Sequence, residues 1–175
     1  MRPKTFLLDR DGVINYDSNH YIRKPSDWKP IPGSLDAIAK LKKAGYKVVV
    51  VTNQSGIGRR YLDIHDLNKI HNLLLLELAS RGATVDAFFF CPHHPDENCI
   101  CRKPSNGLLM SLGQKLNIDL AGVPFVGDKE SDALAALSVG ARPILVKTGT
   151  RFPETRGINC EVFENLDQVV RTFVR

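Results

Sequence analysis

Two carboxylates two residues apart, Asp9 and Asp11, stand in Leu8-Asp9-Arg10-Asp11-Gly12, directly behind a short apolar run. Side chains at i and i+2 can face one pocket where an extended strand ends, and Gly12 permits a tight backbone turn there. One such acid can attack an electrophile while the other moves a proton. Acids behind strands are also common as loop caps, so the pair gains meaning only from what accompanies it. Thr52-Asn53-Gln54-Ser55-Gly56 sets hydroxyl and amide donors behind a second apolar run, a composition suited to phosphate oxygens and equally to an ordinary turn. Arg102-Lys103-Pro104 puts two cations before a predicted helix, either aimed at an anion or solvated. Gly127-Asp128-Lys129-Glu130-Ser131-Asp132 adds acids, among which Asp128 could hold magnesium by hard oxygen ligation or cap a helix.

A nucleophile, a metal-holding carboxylate and fixed donors are the parts that phosphoryl transfer requires. Uncatalysed phosphate monoester hydrolysis is so slow that a catalyst must remove on the order of 20 kcal/mol from its barrier. No single group supplies that. A positioned nucleophile, a bridging cation and donors on the equatorial oxygens share it, because the transition state spreads charge over those oxygens.

A second constellation is of a different chemical kind. Cys91-Pro92-His93-His94-Pro95 and Cys99-Ile100-Cys101 supply a CxH pair and a CxC pair across a short loop. Cys91, His93, Cys99 and Cys101 are four ligands suited to tetrahedral zinc, and with every position filled by protein the ion would be structural. The alternative is a set of buried free thiols beside a surface histidine. His94 is read as a neighbour, since the spacing selects His93. Zinc here would pin the loop that carries Arg102 and Lys103.

These segments need a frame, and the hydrophobic pattern provides one. Apolar, β-branched runs at Thr5–Leu8, Val48–Thr52, Ala87–Cys91, Pro124–Gly127 and Pro143–Val146 read as buried parallel strands. Between them, Ser34–Ala44 reads as a helix with Ser34 as N-cap and Gly45 past its end. Asp63–Arg81 carries Ile64, Leu67, Ile70, Leu74 and Leu78 at helical spacing. Further helices are predicted at Ser105–Leu116, Glu130–Val139 and Leu166–Val174. Strand and helix in alternation predict an α/β fold: a three-layer, Rossmann-like parallel sheet with helices on both faces and chemistry at the carboxyl ends of the strands. Asn15–Pro32 is turn-rich and reads as a substrate-facing loop. No repeat, low-complexity tract or linker interrupts the chain, and residues 1–175 read as one domain with no separate cap.

Composition fits that frame without choosing the chemistry. A chain of 175 residues with 43% apolar content can bury one core. The net charge of +5 would attract a phosphorylated ligand or nucleic acid alike. Nucleic acid is disfavoured because aromatics are 7% of residues and no Lys/Arg run is interleaved with them. The first residues show neither a signal-peptide core nor the length of a membrane span, so no membrane association and a cytoplasmic location are expected; a monomer is the expected assembly. Three of the four cysteines crowd into one segment, which suits metal ligation in a reducing compartment, and Cys160 is left as structural.

Taken in this order, the four acid, hydroxyl and lysine segments resemble the motifs of the haloacid dehalogenase superfamily of phosphatases over most of the chain. The resemblance implies Asp9 as nucleophile and Asp11 as general acid and then base. It also implies magnesium (Mg2+) between the Asp9 side chain, the Asp11 backbone carbonyl and Asp128. Thr52 would bind the transferring group, Lys103 would offset its charge, and Asp132 would support Asp128. Val13 stands where threonine is common in that family, which removes one hydroxyl.

CPHHP, CxCRKP, TNQSGIGR and VGDK together resemble the family's heptose bisphosphate phosphatases, whose substrate is a small phosphorylated sugar used for lipopolysaccharide or related glycoconjugates. That resemblance adds Asp17, Ser18, Asn19, His20 and Tyr21, then Thr52, Asn53, Gln54 and Ser55, and Arg102, Lys103 and Lys129 as substrate contacts. The Asp17–Tyr21 loop is a residue longer here than the usual form. Arg102 and Lys129 suit the second, uncleaved phosphate of a bisphosphate. Histidinol-phosphate phosphatase is the alternative, favoured by the compact gap between His93 and Cys99. A polynucleotide 3′-phosphatase and a catalytically silent, zinc-stabilised binding domain (Zn2+) are further readings.

Overall fold

The computed structural model describes residues 4–151, 153, 155 and 157–174. Six strands form its sheet: β1 (Thr5–Leu8), β2 (Lys47–Asn53), β3 (Ala87–Cys91), β4 (Pro124–Gly127), β5 (Arg142–Val146) and β6 (Glu161–Phe163). Their order is β3-β2-β1-β4-β5-β6 and every neighbouring pair is parallel. The helices are α1 (Ser34–Lys43), α2 (Ser55–Gly58), α3 (Ile64–Ala79), α4 (Gly107–Leu116), α5 (Glu130–Ser138) and α6 (Leu166–Phe173).

Strand alternation sorts the core into two layers. Phe6, Leu8, Val48 and Val50 face one side with α1, α3 and α6, while Leu7, Val49, Val51 and Phe125 face the other with α4 and α5. The interior strands are buried on both faces, so they carry continuous apolar runs rather than an alternation with polar residues. The strand order reverses direction between β1 and β4, and in open parallel sheets ligands bind outside the carboxyl ends of the strands at that switch. Asp9 follows β1 and Asp128 follows β4. The topology therefore brings together two acids 119 positions apart in sequence order, from Asp9 to Asp128.

Local details depart from the sequence expectations at identifiable places. Gly33, at φ 82°, takes the N-cap position of α1 in place of Ser34, whose hydroxyl instead donates to the Ile14 carbonyl at 2.6 Å. Asp63 caps α3 by accepting from Asp66 N at 2.9 Å, and the Asp66 carboxylate returns the bond to Asp63 N. Of the predicted apolar stripe on α3, Leu67, Ile70, Leu74 and Leu78 are fully buried but Ile64 faces solvent. β6 escaped the reading because an exposed, three-residue edge strand has no apolar run to announce it. The single turn of α2 is likewise too short for a periodic signal. The Asn15–Pro32 loop is anchored by buried Ile22, Trp28 and Ile31, and it contains a 3-10 turn at Pro25–Asp27.

Candidate active site

At the switch between β1 and β4, Asp9 continues the sheet ladder by donating its N–H to the Val126 carbonyl at 2.8 Å. Its Oδ1 accepts from Arg10 N at 2.8 Å and lies 3.1 Å from Lys103 Nζ. That ammonium is buried. It donates to the Val51 carbonyl at 2.9 Å and pairs with Asp132 Oδ1 at 2.6 Å. The other Asp132 oxygen accepts from the backbone N–H groups of Asp128 and Lys129, each at 3.1 Å. Asp132, in the first turn of α5, thus accepts the N–H of the N-cap residue Lys129, and both its oxygens are occupied.

Asp128 differs. It is 2% exposed, and neither carboxylate oxygen has a hydrogen-bond partner among the described residues; Lys129 Nζ stands 3.8 Å from its Oδ2. A buried carboxylate without hydrogen bonds is costly, and a distant, half-exposed ammonium offsets little of that cost, so the site calls for a bound cation. Burial, with the Asp9 charge beside it, pushes the Asp128 carboxyl up to about 8. Burial likewise raises Asp9 to about 6, the Lys103 ammonium opposing and Asp132 adding to the rise. Ligand atoms of Asp9, Asp128 and Asp132 all lie within 4.8 Å of one another. A Cβ added at Gly12 or at Gly149 would collide with the Asp128 carboxylate, so two backbone segments close around it. Hard oxygen donors, an orphaned buried carboxylate and a close backbone cradle fit magnesium. Asp132, already saturated, fits the supporting place expected of it.

Asp11 is held by side chains. Its Oδ1 accepts from Arg10 Nε and Asn15 Nδ2, each at 2.9 Å, and its Oδ2 from Arg10 Nη2 and Gln54 Nε2, each at 3.1 Å. Burial would raise its carboxyl, but the Arg10 guanidinium and these hydrogen bonds outweigh it and hold Asp11 below the ordinary range. Gln54 Nε2 also donates to Thr52 Oγ1 at 2.9 Å, joining the hydroxyl of β2 to the acid behind β1. Asn53 clamps the Lys103 backbone from both sides, donating to its carbonyl and accepting from its N–H at 3.1 Å.

These groups open into a cleft of about 800 Å³. Asp17, Ser18, Asn19, Tyr21, Asn53, Ser55, Arg102 and Lys129 line it with the acids. His20 does not; it is exposed and lines an adjoining groove with Tyr16 and Arg23, which shares Asp17, Ser18 and Tyr21 with the cleft. Lys129 Nζ bridges to Asp17 Oδ2 at 2.9 Å and so ties the Asn15–Pro32 loop across the cleft. Arg102 Nη1 is buried without a partner among the described residues. Val13, where a hydroxyl was missing, is fully buried in the apolar core. Sequence reasoning passed over the segment behind β5. Thr148 donates to the Gly12 carbonyl at 2.6 Å, Gly149 walls Asp128, and Thr150 and Arg151 line the cleft. A Thr-Gly-Thr directly behind a predicted strand was the available signal.

The sulfur cluster is self-contained. Cys91 Sγ lies 3.1 Å from Cys101 Sγ and 3.5 Å from Cys99 Sγ, and His93 Nδ1 lies 3.1 Å from Cys101 Sγ and 3.5 Å from Cys91 Sγ. Such separations are too long for disulfide bonds of about 2.05 Å. They approach the edges of about 3.5–3.8 Å that a tetrahedron with zinc–ligand bonds of 2.0–2.3 Å requires. Four soft or borderline donors at these separations fit zinc. His94 is occupied elsewhere, its Nδ1 accepting from Asp96 N at 3.2 Å. Gly58 N donates to the Pro92 carbonyl at 2.8 Å, which docks the loop against α2.

Known proteins share this arrangement. Residues 6–67 match the family described as haloacid dehalogenase-like hydrolase, and residues 100–169 match a second HAD-hydrolase-like family. A D-glycero-beta-D-manno-heptose-1,7-bisphosphate 7-phosphatase of Pseudomonas putida is 53% identical over 146 residues, 83% of each chain. One from Bordetella bronchiseptica is 48% identical over 146 residues, 83% of this chain and 82% of its own. The crystal structure of a B. bronchiseptica D,D-heptose 1,7-bisphosphate phosphatase, complexed with magnesium and phosphate, superposes with a TM-score of 0.90 at 43% identity, covering 97% of both chains.

Proposed function

The chain belongs to the haloacid dehalogenase-like hydrolases, in their heptose bisphosphate 7-phosphatase branch, and from that premise we propose how its residues divide the reaction. It is a magnesium-dependent phosphatase of D-glycero-D-manno-heptose 1,7-bisphosphate that removes the 7-phosphate. The observation that carries the residue assignment is the orphaned, buried Asp128 carboxylate beside Asp9 and Lys103.

A magnesium ion held by Asp9, Asp128 and the Asp11 carbonyl supplies Lewis-acid charge to the phosphoryl oxygens and offsets the two carboxylates. Asp9 attacks phosphorus through the oxygen that its backbone and Lys103 contacts leave available, and an aspartyl-phosphate forms as the bond to the sugar oxygen breaks. Lys103 and the Thr52 hydroxyl take up the developing charge. Asp11 gives its proton to the departing sugar oxygen, then takes one from the water that attacks the aspartyl-phosphate. The donors that place Asp11 also favour its anion, whereas a phosphate dianion beside it favours the acid form that the leaving oxygen needs. Arg102, with its unpartnered buried Nη1, and Lys129, by exchanging Asp17 for an anion, receive the second phosphate and the sugar.

The relatives at 40–53% identity carry the β anomer in their names, and the same anomer is assigned to this chain. The compact His93–Cys99 gap does not redirect the reading to histidinol phosphate. A monomer acting in the cytoplasm suits a phosphorylated sugar substrate and four cysteines outside any disulfide. The test is phosphate release, with magnesium, from both heptose bisphosphate anomers and from histidinol phosphate. The β anomer is expected to give the highest kcat/KM, and preferential turnover of histidinol phosphate would overturn the substrate assignment.

A further inference from the structure

Arg10 is fully buried, although it lies between two acids that reach the cleft. A guanidinium has five N–H donors and no acceptor, so burying it requires a partner on every side. Nε and Nη2 are spent on the two Asp11 oxygens, and Nη2 also approaches Gln54 Oε1 at 3.4 Å. On the far side, Nη1 lies 3.2 Å from His71 Nε2. His71 sits in α3, between Ile70 and Leu74 on the helix face that packs into the core. Its ring stacks on Phe88 of β3 with centroids 4.1 Å apart and planes 12° from parallel.

Only one protonation state suits that contact. A protonated imidazole would face the guanidinium as a second buried cation, whereas the neutral ring with its proton on Nδ1 offers a lone pair to Nη1. Burial, with the Arg10 charge next, pushes His71 down to about 3, in keeping with the neutral acceptor that the contact requires.

We propose that His71 is a positioning residue for the acid–base step: it holds the far side of Arg10, and Arg10 in turn presents the Asp11 carboxylate to the cleft. The chain of contacts runs from the α3 face through the interior to the reacting centre, and His71 itself does not line the cleft. This inference rests on the assignment of Asp11 as the acid–base group.

Because Asp11 protonates the leaving oxygen, its misplacement slows an alkyl phosphate, whose alkoxide needs a proton, far more than p-nitrophenyl phosphate, whose phenolate leaves unaided. The readout is therefore the ratio of kcat/KM for heptose bisphosphate to that for p-nitrophenyl phosphate, since kcat/KM stops at formation of the phosphoryl-enzyme. His71→Phe keeps a ring to stack on Phe88 but has no acceptor. It is expected to lower the ratio about tenfold or more, with p-nitrophenyl phosphate turnover within about twofold of wild type. His71→Gln, whose amide oxygen can accept from Nη1, should restore most of the ratio. Equal losses on both substrates, no loss on the sugar, or no difference between the two variants would overturn the proposal. Should His71→Phe prove insoluble, Arg10→Lys gives the same readout, and an unchanged ratio there also overturns it. Asp11→Asn sets the reference. If it leaves the ratio unchanged, the acid–base assignment fails; if it collapses the ratio while His71→Phe does not, only the His71 link fails.

Discussion

Two clusters of metal-seeking side chains lie near one another in this fold, and they are built on opposite plans. In the sulfur cluster each donor touches another at 3.1–3.6 Å, and all four come from an 11-residue stretch, Cys91 to Cys101. In the acid cluster Asp9 and Asp128 come from the ends of strands at the switch of the sheet and Asp132 from the first turn of α5, and their situations are unequal. Asp132 has both oxygens occupied, Asp9 is partly engaged by Arg10 N and Lys103, and Asp128 has no hydrogen-bond partner among the described residues, only the Lys129 ammonium 3.8 Å from its Oδ2. The first plan closes a site and fixes a loop; the second leaves capacity for a cation and a substrate. A structural centre spends its donors on itself, while a reactive one withholds some.

The contrast is broken most severely at Asp9. Asp9→Asn removes the nucleophile, and turnover is expected to fall by more than about 10⁴-fold. The fold should survive, because the substitution also removes one of the crowded buried charges; near-wild-type kinetics of a folded Asp9→Asn protein would contradict the assignment. Removing the other centre should act on stability instead. Untreated protein is expected to contain about one zinc per chain, and stripping it should lower Tm by about 10 °C or more while loosening the segment that carries Arg102 and Lys103. Metal-free protein with an unchanged melting curve would remove zinc from the account.

A smaller effect sharpens the same comparison through pH. Asp128 titrates at about 8 in the folded, metal-free protein against an ordinary 3.8. Between those values the folded state keeps a proton that the unfolded chain has released. Its contribution to stability is therefore intact at low pH and is lost as pH rises toward the folded value. Without magnesium, Tm should fall between about pH 5 and about pH 8 more steeply in wild type than in Asp128→Asn. Equal slopes would show that Asp128 is not an uncompensated buried acid.

How much of this could be read from the chain follows the same division. The Cys/His cluster was legible because Cys91, His93, Cys99 and Cys101 sit close in sequence, where spacing alone brings them together. Strands β1 to β5 were legible because burial on both faces writes continuous apolar runs, and their alternation with helices implied the parallel sheet. The convergence of Asp9 and Asp128 needed the strand order, which pattern suggests and only the fold supplies. Ser34 was misplaced as a cap because its hydroxyl bonds a distant carbonyl that no local rule can see. The Thr148–Gly149 wall escaped for a related reason: its partners, Gly12 and Asp128, lie far away in sequence. Nothing in the sequence singles out Arg10 or His71, and only their burial and contact reveal them as partners.

The unequal partnering in the acid cluster is tested most directly by calorimetric titration of magnesium into the wild-type protein and into Asp128→Asn, with no substrate present. The wild type is expected to bind one ion per chain, by the donor set assigned above, and the variant to lose that binding. Magnesium binding of equal strength and stoichiometry in Asp128→Asn would mean that the unpaired carboxylate is not where the cation is held, and the mechanism built on it would fall.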